Sequence, residues 1–182
     1  MYPFLRWGKT IVQSVYQNYR GHSLNLYDTS EIEMYANPSD IDNFLEMNNG
    51  RIFTLFDLGR MDFAIRTGLG KQLLKQKWGL VVAGSSIQYR KRVRMLDKVK
   101  IKTRLLGIDE RWIYIEQTMW VKGQATSHAL LRTGITNIKT GKVIATADVF
   151  QAMGVSDFDL TLPDWVESWA DADKLRPFPQ GE

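Results

Sequence analysis

From residue 98 the chain alternates with a period of two, Lys98, Lys100, Lys102 and Arg104 interleaving with Val99, Ile101, Thr103 and Leu105. Successive side chains of a strand point to opposite faces, so this spacing predicts a strand with one solvated face. Further strands are expected at 30–36, with Ile32 and Met34 on one side and Pro38 as the stop, and at 80–94, bent around Gly84. Segment 112–121 is rich in aromatic and β-branched residues, and 125–138 and 143–147 complete the series. Gly107–Glu110 and Lys139–Lys142 read as the turns between them. Helical spacing dominates elsewhere. Residues 3–20 place Phe4, Ile11, Val12, Val15, Tyr16 and Tyr19 at helix-compatible intervals, with Gly21 as the stop. That helix is expected to pack on the domain rather than dock on a membrane surface, whose signature needs a denser basic face. From Asn49 the apolar positions Ile52, Phe53, Phe56, Met61, Phe63, Ala64 and Ile65 predict a second helix, broken by Gly68 and Gly70. Pro163 opens a C-terminal helix in which Trp165 and Trp169 share a face.

Helix, strand, long helix and then a run of antiparallel strands define an α+β chain. Periodicity alone does not select among α+β folds. A length of 182 residues with 44% apolar content fits a single domain, 1–182, with a packed core. The absence of cysteine excludes a disulfide framework, thiolate metal sites and cysteine nucleophiles. His22 and His128 lack neighbours at metal-ligand spacing, so no metal is expected. The net charge of +4 is unevenly placed, since residues 90–104 carry eight Lys/Arg and residues 157–173 carry six acids. That basic run lacks the interleaved exposed aromatics of a nucleic-acid surface and reads first as a wet strand face. No apolar run approaches the roughly 18–20 residues of a spanning helix. Arg6, Lys9 and Gln13 interrupt any signal-peptide core, so the expected compartment is the cytoplasm.

The candidate chemistry lies in 40–50, where Asp40 and Asp42 precede Glu46, Asn48, Asn49 and Gly50 at the start of the long helix. A carboxylate there can activate water or attack directly, while unpaired N–H groups of the first turn hold a developing oxyanion. Spacing alone also allows both acids to be turn and cap residues. The pattern Asp-x-Asp-x-x-x-Glu-x-Asn-Asn over 40–49, the helical Phe56-Asp57-Leu58-Gly59-Arg60 and the strand start Ser86–Lys91 together resemble the hotdog-fold acyl-CoA thioesterases of the 4-hydroxybenzoyl-CoA thioesterase type. The resemblance covers about 28–150, leaving an N-terminal helix and a C-terminal extension over 157–182.

That resemblance implies a long helix wrapped by an antiparallel sheet, acyl-CoA as substrate, no cofactor, and a site completed between subunits of a homodimer or homotetramer. Asp42 maps to the catalytic carboxylate, as general base or nucleophile, and the backbone near Asn49 and Gly50 to the oxyanion donor. Asn48, Phe53, Tyr89 and Arg90 fall at substrate-binding positions. Glu46 stands where that family often has histidine, which brings a second carboxylate to the site. This departure keeps open a second possibility, a hotdog protein that binds acyl thioesters or lipids without hydrolysing them. Asp40 is expected to structure the loop, and Asp57 and Arg60 to form a helical ion pair.

Overall fold

In the computed structural model, residues 2–155, 161–177 and 179 are described. Among them the helices are α1 (Phe4–Tyr19), α2 (Asn49–Arg66), α3 (Leu69–Gln76), α4 (Thr146–Ala152) and α5 (Asp164–Leu175). The strands are β1 (Ser30–Tyr35), β2 (Trp78–Tyr89), β3 (Lys98–Ile108), β4 (Ile113–Val121), β5 (Gln124–Asn137) and the two-residue β6 (Val143–Ile144). All pairings are antiparallel, in the order β1-β3-β4-β5-β2, with β6 added to β5. No helix of the described residues is long and apolar enough to cross a membrane.

The alternation of β3 does what its period implies. Val99, Ile101, Thr103 and Leu105 are buried under α2, and the basic residues between them face outward. Register sets Lys98, Lys100 and Lys102 opposite Tyr35, Glu33 and Glu31 of β1. Cross-strand ion pairs join Lys98 to Glu33 at 2.6 Å and Lys102 to Glu31 at 2.9 Å. Hydrogen bonds from these lysines hold both glutamates below the ordinary carboxylate range. The ladder is thus largely neutralised within the sheet.

α2 lies across the inner face of the sheet. Leu55, Phe56 and Leu58 are fully buried and pack with Val99, Ile101, Met119, Ala129 and Leu131. Each such side chain contributes about 1.5–3 kcal/mol relative to exposure. Close approach is permitted by Gly59, where a Cβ would stand 2.7 Å from Thr103 Oγ1 and 3.0 Å from Gln117 Nε2. The buried Gln117 amide donates to Phe56 O and Thr103 Oγ1, and its Oε1 accepts from Arg60 at 2.7 Å. Every polar atom of that amide is therefore used, which a buried amide requires. Arg60 also pairs with Asp57 at 2.8 Å, as the spacing implied, and burial lowers the guanidinium's pKa.

α1 packs on α2, but by an unexpected face. Its contacts are polar: Tyr2 donates to Asp57, Arg6 pairs with Asp40, Ser14 donates to the buried Asp62, and Asn18 donates to Ile65 O. The apolar residues Phe4, Leu5, Val12, Val15, Tyr16 and Tyr19 point to solvent instead.

The outer face of the sheet is covered over β4 and β5 by α5. Val166 and Ala170 pack on Tyr114 and Leu130, and Arg132 lies between the rings of Trp112 and Trp169 at 5.4 and 5.3 Å while pairing with Asp173. Such stacking adds to the ion pair. Of the acidic stretch 157–173, Asp157 and Asp159 lie outside the described residues.

The long helix ends at Arg66, in keeping with the expected break at Gly68, which turns left-handed at φ 81°. Three features differ from the sequence reading. Leu69–Gln76 form a further helix, α3, whose Leu69 is buried. β2 ends at Tyr89, so 90–94 is loop, while its register shift falls between Val82 and Gly84, at the expected bend. The final strand stops at Ile144. Thr146 donates to Asp109 O and starts α4, which buries Val149 and Phe150 in the core beside Phe63.

Candidate functional site

The segment before α2 is built around Asp40. Pro38–Asp40 form one turn of 3-10 helix, and the Asn37 N–H donates to the Asp40 carboxylate at 2.8 Å. The same carboxylate, 1% exposed, pairs with Arg6 at 2.8 Å and Arg51 at 3.0 Å. Asp40 thus ties α1, the loop and the first turn of α2 into one unit. Residues 41–47 then form a small hairpin. Ile41 bridges Met47, the Asp42 N–H donates to Glu46 O, and the Leu45 N–H donates to Asp42 O with Leu45 itself left-handed at φ 60°. Met47 is buried, which anchors the hairpin to the core below α2.

Asp42 is half-buried, and its Oδ1 accepts the Phe44 N–H at 2.8 Å. Asp42 lines a cleft of about 500 Å³ together with Tyr2, Ser39, Asn48, Gly50 and Thr54, among others. Glu46 lines a separate cleft of about 230 Å³ with Asn49, Ile52, Tyr89, Arg90, Lys91 and Arg92. There Glu46 pairs with Arg92 at 2.8 Å. The two carboxylates therefore have different partners and line different clefts. Phe53 is half-buried on α2 and lines neither.

Asn48 is the N-cap of α2, its Oδ1 accepting the Gly50 N–H at 2.9 Å. The Arg51 and Ile52 N–H groups both donate to Asn48 O. Of the first-turn donors, Asn49 N–H is left without an acceptor among the described residues. Gly50 N–H, expected to share the oxyanion role, is already occupied. The free donor sits at the positive end of an 18-residue helix. Tyr89 contributes a phenol whose pKa burial raises, so it stays a donor at neutral pH. Arg90 donates to Gln88 and Lys91 to Gln124, which fixes their stems at the cleft wall.

Sequence spacing could not reveal Arg92 as the partner of Glu46 or Arg6 and Arg51 as the partners of Asp40, because each pair forms only once the chain folds back. No group of three or more metal-ligating side chains occurs among the described residues.

An antiparallel sheet wrapped round one long helix, with the candidate chemistry at that helix's N-terminus, is the hotdog architecture of thioesterases. The chain belongs to the thioesterase-like superfamily, whose model matches residues 36–172. Among solved structures, the probable thioesterase YbaW of Escherichia coli superposes with a TM-score of 0.63 at 18% identity, covering 68% of this chain and 98% of that one. SAV2348 of Staphylococcus aureus, solved in complex with CoA, gives 0.63 at 14% identity, with 79% and 95% covered. DHNA-CoA thioesterase of S. aureus gives 0.60 at 20%, with 81% and 92% covered. At these identities the likeness is one of fold. Among curated proteins, the chain is 31% identical over 122 residues to Protein THEM6 of Drosophila melanogaster, covering 65% of this chain and 63% of that protein. It is 35% identical over 80 residues to Protein THEM6 of Xenopus laevis, covering 44% and 39%. The matched segments thus span less than two thirds of either relative.

Proposed function

We propose that the protein hydrolyses acyl-CoA thioesters at the N-terminus of α2. The observation that carries this reading is the unclaimed Asn49 N–H, opening onto a cleft walled by Tyr89, Arg90, Lys91 and Arg92. A thioester carbonyl oxygen placed there meets a helix-terminal donor where negative charge develops. Arg90 and Lys91, which no carboxylate pairs among the described residues, suit the phosphates of CoA. This reading requires the thioester to reach from one cleft to the other, so that Asp42, held by the hairpin, takes the proton of a water molecule as that water attacks the carbonyl carbon. The tetrahedral oxyanion then collapses, the C–S bond breaks, and CoA leaves as a thiolate that needs little protonation. Direct attack by Asp42 through an anhydride is the alternative route to the same products. Glu46, neutralised by Arg92, serves to fix the cleft wall. Likeness of fold to a structure solved with CoA supports the substrate class.

A second reading is a protein that holds acyl thioesters without turning them over. It is favoured by the placement of Asp42 and Asn49 in separate clefts. Release of free thiol from a panel of acyl-CoAs decides. Turnover that Asp42→Asn abolishes supports hydrolysis, whereas saturable binding without thiol release supports the carrier.

A further inference from the structure

The most unusual surface of this molecule is the outward side of α1. Helices on a soluble core bury their apolar stripe and expose their polar one; α1 instead seats Thr10 and Ser14 inward and leaves most of its apolar stripe outside. At ~100° per residue, Phe4, Leu5, Val12, Val15, Tyr16 and Tyr19 fall within one arc of about 120°. They are exposed by between 54% at Val15 and 92% at Leu5. The opposite side, with Thr10 and Ser14 buried, is held to α2 by the hydrogen bonds of Ser14 and Asn18 and to Asp40 of the preceding turn by the Arg6 ion pair. Those contacts fix which side faces out. The apolar arc is therefore a built feature of the fold and not the loose end of a helix.

We infer that this face docks on an anionic lipid surface. The basic face is sparse, so the apolar arc carries the docking and charge sets the lipid preference. Residues 2–27 contain no Asp or Glu, and Lys9 and Arg20 border the arc with no ion-pair partner among the described residues. A second copy would bring two such cationic segments together, whereas anionic headgroups complement them. The composition also suits an interface, because phenylalanine and tyrosine seat at the boundary between headgroup and acyl chain. Position adds a consequence. Phe4 and Leu5 line a surface groove with Tyr2, Asp40 and Arg51, and Tyr2 also lines the cleft that holds Asp42. One end of the docked face thus adjoins the cleft that Asp42 lines. The docking itself stands apart from the hydrolase reading. The substrate class it implies, amphiphilic acyl thioesters drawn from a bilayer, rests on that reading.

The test is co-sedimentation of the full chain with phosphatidylcholine vesicles, with and without phosphatidylglycerol. The protein should bind the anionic vesicles, and added salt should weaken binding. Leu5→Glu/Val12→Glu should lower the partition coefficient by about tenfold or more. Lys9→Glu/Arg20→Glu should lower it on anionic vesicles specifically. Melting curves should match the parent, since all four side chains are exposed. Asp42→Asn should bind as the parent does, so loss of hydrolysis and loss of docking are read separately. A parent protein that stays unbound from both vesicle types overturns the inference, as does unchanged binding by Leu5→Glu/Val12→Glu. Conversion of an oligomer to monomer by that double variant, with no vesicle binding by the parent, would assign the face to a second copy instead.

Discussion

Asp40 is enclosed by Arg6, Arg51 and the Asn37 N–H, whereas Asp42, two residues on, makes one hydrogen bond and faces open space. Their substitutions should therefore separate cleanly. Asp40→Asn removes a buried carboxylate shared by two arginines and should cost about 3 kcal/mol, read as a lower Tm. Asp42→Asn should leave Tm nearly unchanged and lower kcat by about 10²-fold or more. Near-parental turnover in folded Asp42→Asn would remove that residue from the mechanism. Glu46→Gln is also informative, because Arg92 is 72% exposed and the pair contributes at most about 1 kcal/mol. A change in the pH–rate profile of Glu46→Gln would then report on the site rather than on stability. An identical profile would confine Glu46 to the loop.

At the scale of elements, the seating of α2 on the sheet depends on the missing side chain at Gly59. Gly59→Ala would press a methyl group against Thr103, Gln117 and Ile101, all in the packed interior. It should destabilise by about 1–3 kcal/mol, and a Tm equal to the parent's would show that the helix can lift without penalty. On the outer face, β3, β4 and β5 are tied by Glu116, which accepts from Arg104 and sits 2.9 Å from His128 Nε2. Burial alone would raise this carboxyl, but hydrogen bonds from Arg104 and His128 hold it below the usual carboxylate range. A depressed folded pKa contributes stability present above the unfolded value of ~4.3 and lost as pH falls through the folded one. Glu116→Gln should accordingly flatten the fall in Tm below about pH 4. If the acid limb keeps the parent's slope, the depression is not expressed in stability.

For the whole molecule, β2 ends the sheet with its far edge unpaired among the described residues, and Val81 and Val82 on it are 41% and 47% exposed. An apolar open edge favours pairing with another chain. We propose a homodimer or homotetramer, for which light scattering should give at least twice the 21.0 kDa of one chain. A monomer at micromolar concentration would count against it. We also propose that the chain melts as a single domain. The inner and outer core clusters share β4 and β5, so neither can come apart alone, and calorimetry should show one transition.

What the sequence determined by itself follows from local physics. The period of β3, the bend at Gly84, the start of α2 at Asn49 and the Asp57–Arg60 pair each depend on residues within a few positions of one another. The order of those elements was enough to fix the α+β class, and motif spacing carried the family. What lay beyond reach is equally physical. The break at Gly68 and Gly70 was legible, but the helix that resumes at Leu69 was not, because its seat depends on Leu69 reaching the core. Residues 145–147 continued a strand pattern until Thr146 found Asp109 O, 37 positions away. The apolar stripe of α1 was visible as a stripe, yet its direction was decided by Asp40, Asp57 and Asp62 on the far side of the fold. Likewise Gly50 and Asn49 are equal candidates as donors in the sequence, and only the Asn48 side chain, by occupying the Gly50 N–H, leaves Asn49 as the open one. Tertiary contacts decide such questions because each buried polar group takes the partner that the finished fold places within reach.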